Sequence, residues 1–286
     1  MNNIKASMEH KTSSEYKPIN VSIVRYENPF EEIKPLVDII CSSNLVNHIY
    51  IIDNSNEIEQ RFKDIPVIYL FNGTNIGFGR AHNLAISKSI NYNTNYHIVI
   101  NPDISFASDI FNSIVDFLDS EKKVGALMPK VFYPNGQMQY LCKLLPSPMD
   151  LFGRRFLPNF LIKKRMEIYE LHQCGYDKIM NIPYLSGCFM ALRVDALKKV
   201  GLFDEQFFMY PEDIDLSRRL HEHYQTVFFP YVSVIHEHKK ESYHNIKLLW
   251  IHTINIIRYF NKWGWILDKK RMQINKETLE QISQLK

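Results

Sequence analysis

The chain is poor in cysteine, and its four cysteines (Cys41, Cys142, Cys174, Cys188) are scattered with no CxxC pair among them. That argues against a zinc knuckle or a disulfide framework and fits a reducing compartment. An apolar h-region is missing from residues 1–18, which are polar and read as a loose leader, not a signal peptide. A membrane span is missing too. The stretch 245–267 is aromatic and apolar, but Lys247, His252, Arg258 and Lys262 interrupt it, so it lies on a bilayer more easily than it crosses one. Internal repeats and low-complexity tracts are absent.

What remains is ordinary globular material: 286 residues, 45% apolar and 23% charged. That length builds a core without staples. The net charge is only +3, yet 239–286 holds ten Lys/Arg against four Asp/Glu. A second basic cluster, Arg154, Arg155, Lys163, Lys164 and Arg165, is interleaved with Leu and Phe. These are either solvated helix faces or segments drawn to an anionic membrane surface.

The first half alternates β-branched runs at 20–25, 48–53, 67–71 and 97–101 with helical patterns near 31–41, 79–91 and 107–120. Such alternation predicts a parallel sheet of βαβ units, with ligands beyond the carboxyl ends of its strands. The second half predicts strands at 124–132 and 137–142 around the turn Pro134-Asn135-Gly136, and another over 182–193. A helix follows over 212–223, a strand over 227–236 and a helical tail from 245. The stretch 144–180 is a Pro-rich, basic and aromatic insertion. The expected fold class is α/β, a mixed, mostly parallel sheet flanked by helices.

Five segments carry candidate chemistry. Asp53-Asn54-Ser55 ends a hydrophobic strand. Its carboxylate suits a nucleobase or ribose, though Asp-Asn-Ser is also turn chemistry. Asn72-Gly-Thr-Asn-Ile-Gly-Phe-Gly-Arg-Ala-His-Asn83 precedes or opens a helix. There Asn75, Gly77 and the charge of Arg80 suit an anion. His82 stands where a dinucleotide fingerprint needs a small residue, so a nicotinamide cofactor is a poor fit. His82 and Asn83 either face a ligand or pack locally. Asn101-Pro-Asp103 puts one carboxylate at the mouth of the sheet, where a hard divalent cation shares it with a pyrophosphate, or where a turn simply ends the strand. Glu212, Asp213 and Asp215 cluster at a helix start behind an aromatic run, as a general base or as caps. His236 and His238 alternate at a strand end, as metal ligands or surface groups. His221 and His223 read as solvated.

In this order the segments resemble the family 2 inverting glycosyltransferases of the GT-A fold, in the bacterial rhamnosyltransferase-like branch, from about Val21 to Ser242. Ser186-Gly-Cys-Phe-Met-Ala-Leu-Arg193 and Gly201-Leu-Phe-Asp-Glu205 belong to the same likeness. The resemblance implies a glycosyltransferase domain over 19–243, with a donor half at 19–130 and an acceptor half at 131–243. A helical extension follows over 244–286. It implies that Asp53 contacts the base or ribose, and that Asn101 and Asp103 stand at the DxD position with Asp103 on Mn²⁺ or Mg²⁺. Asp213 would be the catalytic base with Glu212 beside it, Arg218 would lie near the diphosphate, and His236 would be a metal or diphosphate ligand. Asn101 departs from the family in replacing the first acid of DxD. The implied reaction moves rhamnose or another hexose from a dTDP- or UDP-sugar to a saccharide or lipid-linked acceptor in surface polysaccharide assembly. The implied location is cytoplasmic, at the inner face of the membrane. Rival readings are a sugar nucleotidyltransferase, for which Arg25-Tyr-Glu-Asn-Pro-Phe30 lacks the expected glycines, and a non-catalytic, membrane-associated glycan binder. The main reading requires Asp53, Asp103, Asp213 and His236 to line one cleft.

Overall fold

In a computed structural model of the chain the described residues are 18–107, 110–154, 157–237 and 246–285. The leader, Arg155 and His238 lie outside them. Strands β1 (Ile19–Arg25), β2 (Val46–Asp53), β3 (Ile68–Phe71) and β4 (Tyr96–Ile100) run parallel in the order β3-β2-β1-β4. Between them come α1 (Phe30–Cys41) and α2 (Phe78–Asn91), and α3 (Ile110–Ser120) follows.

Residue alternation decides what each face of the sheet meets. Ile19, Val21 and Ile23 of β1 join a core with Ile33 and Val37 of α1 and Ile114 and Leu118 of α3. Asn20 and Ser22 point the other way, to α2. Asn20 Nδ2 donates to Ser89 Oγ at 2.9 Å, and Ser22 Oγ meets His82 Nδ1 and His97 Nε2, each at 2.7 Å. Burial pushes both imidazoles down, His97 to about 3, so the ladder is neutral. His82 therefore packs locally.

The rest of the sheet is mixed. β5 (Ile104–Ser105), β6 (Val124–Phe132), β7 (Met180–Asn181), β8 (Phe189–Arg193) and β9 (Gln225–His236) complete nine strands among the described residues, with β6 between β8 and β9. β8 is antiparallel to β4 and β6, while β6 and β9 are parallel. Helices α4 (Asn159–Tyr169), α5 (Val194–Val200), α6 (Glu212–His221), α7 (Ile246–Trp263) and α8 (Lys269–Gln284) follow in chain order. Acids in the first turn of α6 and Arg218, Arg219 and His221 in its last turn match the helix dipole.

Three local expectations are corrected. Residues 137–142 form no strand. Beyond the bridge Phe132–Met138, with Tyr133 N–H donating to Gln137 O (2.7 Å) and Gln139 N–H to Val131 O (2.9 Å), the segment leaves β6, and the Gln139 side chain goes to His236. Of the strand expected over 182–193 only β8 forms, and β7 lies just before its start. Between them the backbone turns to α6, with Leu185 N–H donating to Ser217 Oγ and Gly187 N–H to Asp213. His221 is half-buried against Thr226 (2.7 Å), not solvated, and burial lowers its pKa to about 4.

Candidate active site

The short β5 does one positional job. It pairs Ile104 with His236, and Glu237 N–H donates to Asp103 O at 3.1 Å. This brings His236 Nε2 to 3.4 Å from Asp103 Oδ1, at side-chain exposures of 7% and 18%. Gln139 Nε2 donates to His236 O at 2.7 Å, and its Oε1 faces His236 Nδ1 at 3.1 Å. That assigns the proton to Nδ1 and turns Nε2 toward Asp103. Burial alone would lower the His236 pKa, but hydrogen bonds to Asp103 and Cys188 raise it to about 10. Without a cation the pair is an imidazolium–carboxylate. Among the described residues no three His, Cys, Asp or Glu side chains gather as a metal cluster. A divalent cation here would have one carboxylate and one imidazole from the protein, a donor set that fits when phosphate and water supply the rest.

His236 and Asn101 open into a cavity of about 580 Å³, which Glu212 and Asp213 also line. That volume suits a small ligand such as a sugar. Asp213 Oδ2 accepts from Gly187 N–H at 3.0 Å and from the Tyr184 hydroxyl at 3.3 Å, while Oδ1 accepts from Ile214 N–H at 2.8 Å. A side chain at Gly187 would meet Asp213 Cβ and the Phe78 ring at 3.3 Å each, so glycine permits this close approach. Burial raises the Asp213 pKa to about 6, against those donors and the charge of Lys143. Burial and the Asp213 charge push Glu212 further up, and its Oε2 is buried with no hydrogen-bond partner among the described residues. The two environments split the pair: Asp213 ionises first and Glu212 keeps its proton. One member is thereby a base at neutral pH and the other a neutral acid.

The turn into α6 is strained. Tyr210 adopts φ 93°, costly for a side chain of this size, and its ring packs against His252 of α7 at 4.4 Å. The other face of α6 is bolted to the C-terminal helices. Asp215 binds Arg219 (2.8 Å), Lys262 (2.7 Å) and Trp263 Nε1 (2.8 Å).

The remaining sequence candidates sit elsewhere. Asp53 is fully buried. Its Oδ2 accepts from Arg25 (2.6 Å) and Tyr69, and its Oδ1 accepts from Ser55 N–H, so both oxygens are engaged within the protein. Arg218 is 2% exposed, forked onto Asp268 at 2.6 and 2.9 Å and stacked over Trp263. Neither lines the cavity. Gly77, at φ 92°, would collide with Phe208 O if it carried a Cβ, and Phe78 N–H donates to that same carbonyl at 3.0 Å. Gly77 N–H goes to Asn75 Oδ1. The backbone donors expected to meet an anion at this helix start are thus taken by the protein. Arg80 is exposed, 3.5 Å from Glu205, and Asn83 ties α2 to Phe203 through both its backbone groups. Of the four residues required to share a cleft, Asp213 and His236 line one cavity, Asp103 is joined to it only through its contact with His236, and Asp53 stands apart.

The sequence reading missed Lys143, Tyr184 and His252, all of which line the cavity. None lies in a recognisable motif. Their only signal was polar or aromatic character in otherwise featureless stretches.

No family model matches the chain. It is 27% identical over 192 residues to the N-acetylglucosaminyl-diphospho-decaprenol L-rhamnosyltransferase of Mycobacterium tuberculosis, covering 64% of this chain and 62% of that protein. It is 25% identical over 150 residues to rhamnosyltransferase WbbL of Escherichia coli, covering 50% and 54%. The chain therefore spans less than two thirds of the length of these relatives. Among solved structures, GalNAc-T7 with UDP, GalNAc and Mn²⁺ superposes at TM-score 0.56 and 14% identity, over 76% of this chain and 42% of that one. S. aureus TarS gives 0.55 and 14%, over 92% and 43%. The mannosyltransferase PcManGT of Pyrobaculum calidifontis, with GDP-Man and Mn²⁺, gives 0.53 and 13%, over 95% and 76%. The chain has the GT-A glycosyltransferase fold, and its relatives in sequence are rhamnosyltransferases.

Proposed function

We propose that the chain is an inverting glycosyltransferase that moves a hexose, rhamnose by its relatives, from a nucleoside diphosphate sugar to a hydroxyl of a lipid-linked saccharide. The observation that carries this reading is one cavity lined by Asp213 and Glu212 and by His236, behind which Asp103 stands. Asp103–His236 is suited to a cation and a diphosphate, and Asp213–Glu212 to a proton.

In this reading Asp213 takes the acceptor proton as the hydroxyl attacks the anomeric carbon, and the nucleoside diphosphate departs on the opposite face. Tyr184 and Gly187 hold the carboxylate in line, and neutral Glu212 adds no competing charge. Asp103 and His236 would hold Mn²⁺ or Mg²⁺, which when bound supplies charge neutralisation for the leaving diphosphate. Asn101 sits beside them on the cavity wall. Asp53 serves indirectly, fixing Arg25 and Tyr69 at the strand ends where the base and ribose would lie. Asn75, Gly77 and Asn83 shape the loop alongside, with Arg80 at its exposed rim. Arg218 positions α6.

No described helix is long and apolar enough to cross a membrane. A peripheral seat is part of the proposal. Phe160 (79% exposed), Leu161, Ile266 and Leu267 (89%) stand in water beside exposed Lys163, Lys164 and Lys269, an apolar and basic mixture suited to an anionic leaflet.

A donor screen tests the reading. Thermal shift with UDP-, dTDP- and GDP-sugars, with and without Mn²⁺, should find one nucleotide class that stabilises the protein more with metal. Donor consumption should then require an acceptor. Stabilisation by nucleoside triphosphates instead, with release of pyrophosphate, would transfer the case to the nucleotidyltransferases.

A further inference from the structure

The cavity has a cationic end that the chemistry above does not use. Residues 139–143 run along its wall. Gln139 holds His236 at one end, and at the other Lys143 N–H donates to Tyr184 O at 3.2 Å. Lys143 is 7% exposed, yet its side chain lines the cavity. Among the described residues its ammonium makes no hydrogen bond. Its partner is the face of the Tyr184 ring at 5.4 Å, whose hydroxyl in turn reaches Asp213. Burial and the nearby charge of Arg154 lower the Lys143 pKa to about 8. The charges of Glu170 and Asp213 favour the ammonium from a distance, but among the described residues neither is hydrogen-bonded to it. A buried ammonium without a direct anionic partner is costly, the more so with a second cation beside it. Arg154 stands at the rim with its side chain 46% exposed, 3.4 Å from Glu170, and Glu170 is further shared with His172 at 3.2 Å.

We propose that Lys143, assisted by Arg154, binds the phosphate of the acceptor, a prenyl diphosphate sugar. This deepens the glycosyltransferase reading and rests on it. Two placements favour the acceptor over the donor. The Asp103–His236 pair lies at the far end of the 139–143 segment, about 13 Å away at full extension. Lys143 instead adjoins the carboxylate that takes the acceptor's proton. A third placement favours a phosphate bearing an apolar chain. Leu151 also lines the cavity, and its neighbour Phe152 stacks on Trp265 at 6.2 Å. From Trp265 the surface continues to Ile266 and Leu267, 79% and 89% exposed. An anion at Lys143 with a greasy tail laid outward along this path satisfies both features.

The test is isothermal titration of geranyl diphosphate into the full chain, with the donor site filled by saturating UDP and Mn²⁺. Wild type should bind it. Lys143→Met should weaken binding by about ten- to a hundredfold, the worth of a charge-assisted hydrogen bond. Lys143→Arg should stay within about threefold of wild type, and Arg154→Met should lose less than Lys143→Met because its side chain is half in water. UDP affinity should be equal in all four proteins. Equal geranyl diphosphate affinity in wild type and Lys143→Met would overturn the proposal, as would a parallel fall in UDP affinity or no binding beside a bound UDP. Binding of methyl glucuronide in place of geranyl diphosphate would also overturn it, by assigning the cation to an acidic sugar. Where the donor screen selects dTDP or GDP, that nucleotide replaces UDP throughout, and failure of all three to bind would sink the glycosyltransferase reading, a separate result.

Discussion

Replacing Asp213 by asparagine separates catalysis from stability more sharply than any other change in this molecule. The carboxylate accepts three hydrogen bonds in a buried pocket. An amide oxygen can keep those on one side, so about one hydrogen bond is lost, roughly 1 kcal/mol. Against that, burial holds the Asp213 pKa at about 6, compared with 3.8 for the free group. Two units correspond to on the order of 3 kcal/mol that the folded state gives up by ionising this group. The sign follows from proton uptake. Folded protein holds the proton more tightly than unfolded, so the penalty is complete above pH 6 and fades as pH falls toward 4. Asparagine removes it. The Asp213→Asn variant should therefore melt at or above the wild-type temperature at pH 8, and its advantage should shrink as pH falls from 6 to 4. Its turnover should drop by about a hundredfold to ten-thousandfold, the usual worth of a general base. In the wild type, kcat should rise with pH through about 6. Glu212→Gln should keep that acid limb, because Asp213 ionises while Glu212 is still neutral. Scanning calorimetry across pH, together with donor turnover, reads all of these. Near-normal turnover would remove Asp213 as base. A melting temperature several degrees lower at pH 8 would show that the carboxylate is structural and the burial argument wrong.

Three further outcomes follow from the same geometry. Asp103→Ala should abolish the gain in UDP affinity on adding Mn²⁺ while leaving metal-free binding alone, and a variant still sensitive to Mn²⁺ would place the cation elsewhere. Asp268→Asn keeps a competent cap for α8 but strands the Arg218 charge. It should cost about 3–5 kcal/mol, or roughly 10 °C in melting temperature, with donor KM unchanged. A normal melting temperature with donor affinity lost would instead put Arg218 at the diphosphate. Vesicles containing phosphatidylglycerol should co-float the protein and pure phosphatidylcholine should not. Replacing Ile266 and Leu267 by serine should halt the flotation, and indifference to both lipid and substitution would remove the membrane seat.

The parallel half of the sheet was legible because its cause is local. Short, nearly continuous β-branched and apolar runs in 20–25, 48–53 and 97–101 commit β1, β2 and β4 to burial on both faces, and the intervening amphipathic helices have one face to hide. Asp103, Asp213 and His236 were legible because each sits at an element's end, where a polar residue after an apolar run stands out. Asp53 obeys the same rule, but its partner is not local: its carboxylate is held by Arg25, which the parallel register Arg25–Asp53 sets beside it from 28 residues away. Arg218 is a like case, since its partner Asp268 lies 50 residues on, at the start of another helix. Residues 137–142 have strand composition and even a hairpin turn, but their pairing with β6 stops at Gln139, whose side chain is drawn to His236. In each case the missing information is which remote segment arrives at a given place, and local propensity does not contain it.

Helix α6 shows why the C-terminal helices belong to the site although no motif marks them. Its first turn carries two buried carboxyls and follows a strained tyrosine, each a cost to the fold. Such a turn persists only if its surroundings over-determine it. On the cavity side the surroundings are Gly187 and Tyr184, which give the carboxylate hydrogen bonds but little apolar grip. On the opposite side Asp215 and Arg218 reach Trp263, Lys262 and Asp268, while Ile214 packs with Tyr259 and Phe260. The helix that presents the base is thus clamped from behind by α7 and the start of α8. The same α7 sends His252 and Ile256 into the cavity wall. The acid pair, its strain and its clamp form one unit, so the base's position depends on residues some 50 places further along the chain.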